Sequence, residues 1–195
     1  MESIFSYLAE VFDLPILEWI AANLRCAFLD AVMPVITLLG DAGIFWILMA
    51  AALLFFPKYR KIGFGMGAAL LLGLLVCNVT MKPLFARIRP YDYQLEHYGK
   101  TIHLLISAQH DFSFPSGHTL ASFEAATVLA IHNKKWGIPA LILACLIAFS
   151  RLYLYVHYPT DVLFSVGMGI GFGFLGNFLV KKGYTLYEAK KNQSM

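Results

Sequence analysis

Three groups of residues follow one another in this chain with the chemistry of a phosphate site. Lys82 lies seven residues before Arg89-Pro90, Pro115-Ser116-Gly117-His118 comes next, and Ser150-Arg151, His157 and Asp161 close the series. Three cations can neutralise a phosphate, and Arg binds its oxygens through paired hydrogen bonds. Two imidazoles can attack and protonate, and a carboxylate on one ring nitrogen leaves the other free as a nucleophile. All three groups sit at the ends of long apolar stretches. Charge inside a membrane costs several kcal/mol, so it is placed there for a reason.

Each group also has a plainer reading. On a helix, Lys82 and Arg89 would share one face, and there they would repel unless an anion sat between them. They would serve equally as basic anchors at a membrane interface, and Arg87, on another face, is expected to be such an anchor. Ser116 suits a helix cap, Gly117 lets a ligand approach the backbone, and the N–H groups of a helix start bind anions. His118 then falls in the first turn; a capped turn with an interfacial histidine explains the same residues. Pro159 disfavours helix at Tyr158, which leaves His157 in a loop or helix entrance with Asp161 in reach. Coincidence is a poor explanation for all three together.

The elements that carry these groups are apolar. The chain has 195 residues, 59% of them hydrophobic and 14% charged, against about 25% charged in soluble domains. The hydrophobic residues run together instead of alternating, over 44–56, 62–81, 119–132, 136–150 and 162–180. This predicts an all-α polytopic membrane protein in a single domain, since helices satisfy their own backbone in lipid. Six transmembrane helices are expected, over 16–38, 43–56, 62–81, 116–132, 136–154 and 160–182. Residues 4–14 form a short amphipathic N-terminal helix at the interface or docked on the protein. Arg25 and Asp30, inside the first span, are expected to neutralise each other. Glycines 63, 65, 67 and 73, and 167, 169, 171, 173 and 176, suit close helix packing.

Lysine and arginine follow the second, fourth and sixth spans, at 58–61, 134–135, 181–182 and 190–191. The positive-inside rule makes that side, with both termini, cytoplasmic, and puts the three motifs on the extracytoplasmic face. The net charge of +3 comes without a basic run, so no nucleic acid partner is expected. Cys26, Cys77 and Cys145 read as small core residues. The loop 91–114 carries Asp92, Glu96, His97, His103, His110 and Asp111. No short ligand pair occurs among them, so no metal or other cofactor is expected. A lid or headgroup-reading role and ordinary loop polarity both remain open for that loop.

The pattern Lys-x6-Arg-Pro, Pro-Ser-Gly-His and Ser-Arg-x5-His-x3-Asp resembles the type 2 phosphatidic acid phosphatase superfamily, with every motif position intact between residues 82 and 161. The spans and small size resemble its bacterial membrane branch, which includes undecaprenyl diphosphatases and phosphatidylglycerophosphate phosphatases. The resemblance implies that Lys82, Arg89 and Arg151 bind the phosphate, with Ser116 and Gly117 completing the cradle. It implies that His157 attacks phosphorus, His118 serves the leaving group and then water, and Asp161 orients His157. It further implies a plasma-membrane enzyme acting on a lipid phosphate, foremost undecaprenyl diphosphate, with phosphatidylglycerophosphate or phosphatidate next. Intact His118, His157 and Asp161 argue against a non-catalytic lipid-binding or transport protein on the same fold, and the spans argue against a vanadate-dependent oxidase. Oligomeric state is not legible.

Overall fold

The computed structural model describes residues 2–193, and among these every regular element is a helix. The chain opens with α1 (Glu2–Leu8), a π-helical turn (Ala9–Asp13) and α2 (Leu14–Asn23). Then come α3 (Ala27–Leu38), α4 (Ile44–Leu54) and α5 (Arg60–Gly73). A π-helical stretch (Leu74–Met81) carries α5 into the short α6 (Lys82–Phe85). After α7 (Pro90–Tyr98) a long irregular segment leads to α8 (Gly117–His132), α9 (Lys134–Tyr153) and α10 (Pro159–Gln193).

Four stretches are long and apolar enough to cross a bilayer: Ala27–Leu54, Arg60–Tyr98, Lys134–Tyr153 and Pro159–Gln193. Two of them are interrupted. Ala42 and Gly43 take positive φ between α3 and α4, and Ala86 does so between α6 and α7. The expected first span over 16–38 does not form as one helix, because α2 ends at Asn23 and the backbone is irregular until Ala27. Arg25 and Asp30 do not pair. Asp30 accepts from the Tyr153 hydroxyl at 2.6 Å, and Arg25 Nε has no hydrogen-bond partner.

The buried helix α8 is the centre of the bundle and packs on α9, α10 and α5. Trp46, Met66, Ala125, Val128, Ala144 and Ile147 form the middle of its core. The α5–α10 crossing is tight, since a Cβ on Gly176 would lie 2.6 Å from the Ala69 amide nitrogen. Other glycines of the expected packing set, Gly67, Gly167 and Gly171, face open space. Of the cysteines only Cys77 is buried, whereas Cys26 and Cys145 are exposed, so two of the three expected core cysteines are not in the core.

The N-terminal helix lies against the protein. Ala9, Asp13, Leu14, Leu17 and Ile20 are buried, while Ile4, Val11 and Phe12 are exposed. At the opposite end of the bundle from the motif residues, the basic clusters converge. The Tyr59 and Trp136 rings lie 4.9 Å apart, and Lys61 stands 4.9 Å over the Tyr184 ring. The helix α10 continues beyond residue 182 to Gln193; its 35 residues span about 50 Å, more than a hydrocarbon core of about 30 Å.

Candidate active site

All eight expected site residues gather at one end of α8. Gly117 and His118 open that helix, and Ser116 stands at its cap position with extended backbone. The Ser116 side chain does not cap. Its Oγ lies 3.0 Å from Thr119 Oγ1, and its backbone N–H donates to Ser165 Oγ at 2.9 Å. Arg151 comes from the last turn of α9, His157 from the loop 154–158, and Asp161 from the first turn of α10.

Lys82 and Arg89 do not share a helix. The left-handed turn at Ala86 and the extended backbone at Arg89 separate α6 from α7. They meet through an anion nonetheless. Asp111 bridges them, its Oδ2 on Lys82 Nζ and its Oδ1 2.5 Å from Arg89 Nη2. Burial raises the Asp111 carboxyl, but the hydrogen bonds and charges of Lys82 and Arg89 win and hold it at about 2. The loop therefore supplies a carboxylate that the two cations share.

Arg89 also reaches the loop that carries His157. Its Nη1 donates to Val156 O at 2.7 Å and lies 3.3 Å from His157 Nε2. The other ring nitrogen, Nδ1, lies 3.4 Å from Asp161 Oδ2 and 3.5 Å from Ser113 Oγ. Burial first, then the charges of Arg89, Arg151 and Lys82, hold the His157 imidazole well below its ordinary range. A neutral imidazole keeps a lone pair on one nitrogen, as a nucleophile requires.

Asp161 is held more elaborately than expected. Its Oδ2 accepts from Ser113 Oγ and from the Tyr158 N–H at 3.1 Å. Its Oδ1 accepts from Arg87 Nη1 at 2.5 Å. Arg87 is thus no interfacial anchor. It is buried, donates to Asp13 Oδ2 at 2.7 Å and Thr160 Oγ1 at 2.8 Å, and stands 3.7 Å over the Tyr158 ring. Arg87, Asp13 and Ser113 form a shell that the motifs do not announce. The one signal for it is Asp13, a carboxylate in an apolar amphipathic segment, where charge is costly unless paired.

On the other side of the site, Arg151 donates to Thr37 Oγ1 at 2.6 Å, and its Nε has no partner. His118 Nε2 lies 3.1 Å from Asp41 Oδ1, close enough for an ion pair but not angled as a hydrogen bond. Arg151 and His118 line a cavity of about 1080 Å³ together with Lys82, Arg89, Asp111 and His157. Away from them the cavity is bounded by Leu54, Phe64, Leu71, Tyr184 and Tyr187. A polar, cationic mouth on a long apolar chamber suits a phosphate carried on hydrocarbon. Of the loop 91–114, Asp111 alone lines this cavity among its acidic and histidine residues; His97 stacks on Tyr93 instead.

The chain is 34% identical over 131 residues to an undecaprenyl-diphosphatase of Sulfolobus acidocaldarius, covering 67% of this chain and 61% of that protein's own length. It is 33% identical over 147 residues to the undecaprenyl-diphosphatase BcrC of Bacillus subtilis, covering 75% and 72%. Its fold is similar to the crystal structure of a transmembrane PAP2-type phosphatidylglycerolphosphate phosphatase from Bacillus subtilis, with a TM-score of 0.68 and 26% identity over 93% of this chain and 88% of that one. The family model of the PAP2 superfamily matches residues 58–183, a stretch that holds every residue of the three motifs, and the chain belongs to that superfamily.

Proposed function

We propose that this chain is a membrane lipid phosphatase that removes a terminal phosphate through a phosphohistidine intermediate. The observation that carries the reading is the setting of His157. Its Nε2 faces the Arg89 guanidinium at 3.3 Å, with Nδ1 turned to Asp161. Asp161 keeps the proton on Nδ1 and frees Nε2 to attack phosphorus in line with the leaving oxygen. As the Nε2–P bond forms, the P–O bond to the lipid breaks, and His118 protonates the departing oxygen. His118 then takes a proton from water, which attacks the phosphohistidine and releases inorganic phosphate. Lys82, Arg89 and Arg151 neutralise the three equatorial oxygens, with the Ser116 and Gly117 backbone beside them. Positioning and charge neutralisation are the main needs of phosphoryl transfer.

The favoured substrate is undecaprenyl diphosphate, supported by the two relatives of that name. A glycerolipid phosphate, phosphatidylglycerophosphate or phosphatidate, is the second reading, supported by the likeness to the Bacillus subtilis phosphatidylglycerolphosphate phosphatase structure. In the membrane, α4, α5 with its π-helical extension, α8, α9 and α10 make the spans, whereas the 12-residue α3 lies along the site end, with Asp30 on Tyr153 and Thr37 on Arg151, so that the expected sixth span is lacking. The basic end and the C-terminus are cytoplasmic, and the site opens on the extracytoplasmic face of the plasma membrane; the N-terminal helix, docked at the site end through Asp13 on Arg87 and Glu10 on Tyr93, lies on that face too, and not on the cytoplasmic side expected for both termini. Phosphate release by the purified protein, measured across prenyl diphosphates, phosphatidylglycerophosphate and phosphatidate, tests the reading. Release from none of them overturns it.

A further inference from the structure

Glu124 has no part in the mechanism above, yet it lines the cavity. It lies on α8, six residues beyond His118, so its α-carbon is about 9 Å further along the helix axis. The side chain is 1% exposed, and its Oε1 has no hydrogen-bond partner among the described residues. A buried polar group without a partner is costly to keep. Such a group in a membrane-spanning helix is a mark of function.

The facing helix makes room for this carboxyl. A Cβ on Gly73 would lie 1.9 Å from Glu124 Oε1, so any larger residue at 73 would drive the carboxyl away. Further along the same wall, Gly117 faces Asn78, whose Oδ1 also lacks a partner. The wall thus runs from the phosphate end at Gly117 and Asn78 to the deeper pair Glu124 and Gly73. Between His118 and Glu124 it presents Leu120 and Ala121. A polar group of the ligand at the depth of Glu124 would meet one partner there.

We infer that Glu124 is a specificity-determining residue that hydrogen-bonds a hydroxyl, ester or amide group lying a few bonds behind the phosphate of a lipid substrate. A carboxyl accepts in either protonation state, and the neutral acid also donates, which matches the mixed hydroxyl and ester character of a glycerol linker. A prenyl diphosphate has only hydrocarbon at that depth and leaves Glu124 unpaired. Lipids with a polar linker are therefore a substrate class of this site in addition to prenyl diphosphates. The inference rests on the lipid-phosphatase reading.

The test uses two monophosphates with tails of equal length, a monoacylglycerol phosphate and a plain alkyl phosphate. The quantity read is the ratio of their kcat/KM values, which cancels any general loss of folded enzyme. The unaltered protein is expected to favour the monoacylglycerol phosphate. Glu124→Leu should cut the ratio by about tenfold, the worth of one hydrogen bond, mostly through KM. Glu124→Gln, which still donates and accepts, should keep most of it. Gly73→Ala, which displaces the carboxyl without removing it, should lower the same ratio. An unchanged ratio in Glu124→Leu and Gly73→Ala overturns the inference, as does a ratio near one in the unaltered protein. If the unaltered protein releases phosphate from neither these lipids nor a prenyl diphosphate, the lipid-phosphatase reading falls and takes the inference with it.

Discussion

Arg87 donates to Asp161 Oδ1 at 2.5 Å and to Asp13 Oδ2 at 2.7 Å, so one buried guanidinium ties the N-terminal helix to the carboxylate beside His157. Arg89, two residues on, turns the other way and faces His157 itself.

Arg87→Ala should therefore be severe. It leaves two buried carboxylates without their cation, and breaking such a pair costs about 3–5 kcal/mol. The expected outcome is a large fall in thermal stability together with activity. Arg87→Lys, lacking the planar fork that reaches Asp13 and Asp161 at once, should restore only part. Wild-type melting temperature in Arg87→Ala would remove Arg87 from this role.

Much of the site was legible because phosphate chemistry restricts residue types and spacings. Lys82, Arg89, His118, Arg151, His157 and Asp161 were all named by pattern; the bundle brings the first five to one cavity and sets Asp161 against His157. The supporting shell was not legible. Asp13 and Arg87 are 74 residues apart, and nothing local marks them as partners. Helical spacing also misled at Lys82 and Arg89, because the residues between them include Ala86 in a left-handed conformation that an alanine does not advertise. The apolar runs located the helix-forming stretches well. They missed the break before Ala27, since Leu24-Arg25-Cys26 carries no Gly or Pro to signal it.

Asp111 sits between Lys82 and Arg89, the cations proposed to hold the phosphate, so on that reading substrate has to displace it. The carboxylate is 54% exposed, which keeps the competition modest. Asp111→Asn should tighten inhibition by inorganic phosphate or vanadate by about two- to fivefold, the range of an exposed ion pair. The sign of the pH effect follows from its depressed value. The pairing is fully present above the ordinary carboxylate range and is lost only as pH falls through about 2. Between pH 5 and 8 Asp111 should add no titration of its own to the inhibition profile. Weaker phosphate inhibition in Asp111→Asn would mean that the carboxylate helps to hold the anion site instead of competing for it.

The basic clusters at 58–61, 134–135 and 181–182 meet at one end of the bundle, and the site lies at the other. A cysteine introduced at Tyr98, which is exposed beside the site loop, should react with an impermeant maleimide added to intact cells. One introduced at Lys134 should react only after the cells are opened. Both measurements need the native Cys26 and Cys145, which are exposed, replaced first. The reverse labelling pattern would turn the protein over and move the site to the cytoplasm.

The two histidines differ in what holds them, and the difference predicts what each variant can still do. His157 is buried, with Nδ1 set against Asp161 and Ser113 and Nε2 against Arg89. His118 has only the poorly angled approach of Asp41 to Nε2, so its nitrogen remains free to exchange a proton with a leaving group or water. His157→Ala should abolish the acid-labile, base-stable phosphoenzyme as well as turnover. His118→Ala should slow turnover of lipid substrates by about 10²–10⁴-fold, the usual share of a general acid–base. With an activated aryl phosphate, whose leaving group needs no proton, His118→Ala should still form phosphohistidine and should accumulate it, because water is no longer activated for the second step. Asp161→Asn should slow phosphoenzyme formation for both kinds of substrate, since the proton on Nδ1 loses its carboxylate. Rapid-quench labelling with radioactive substrate measures all of these. A phosphoenzyme that persists in His157→Ala and vanishes in His118→Ala would exchange the roles of the two residues.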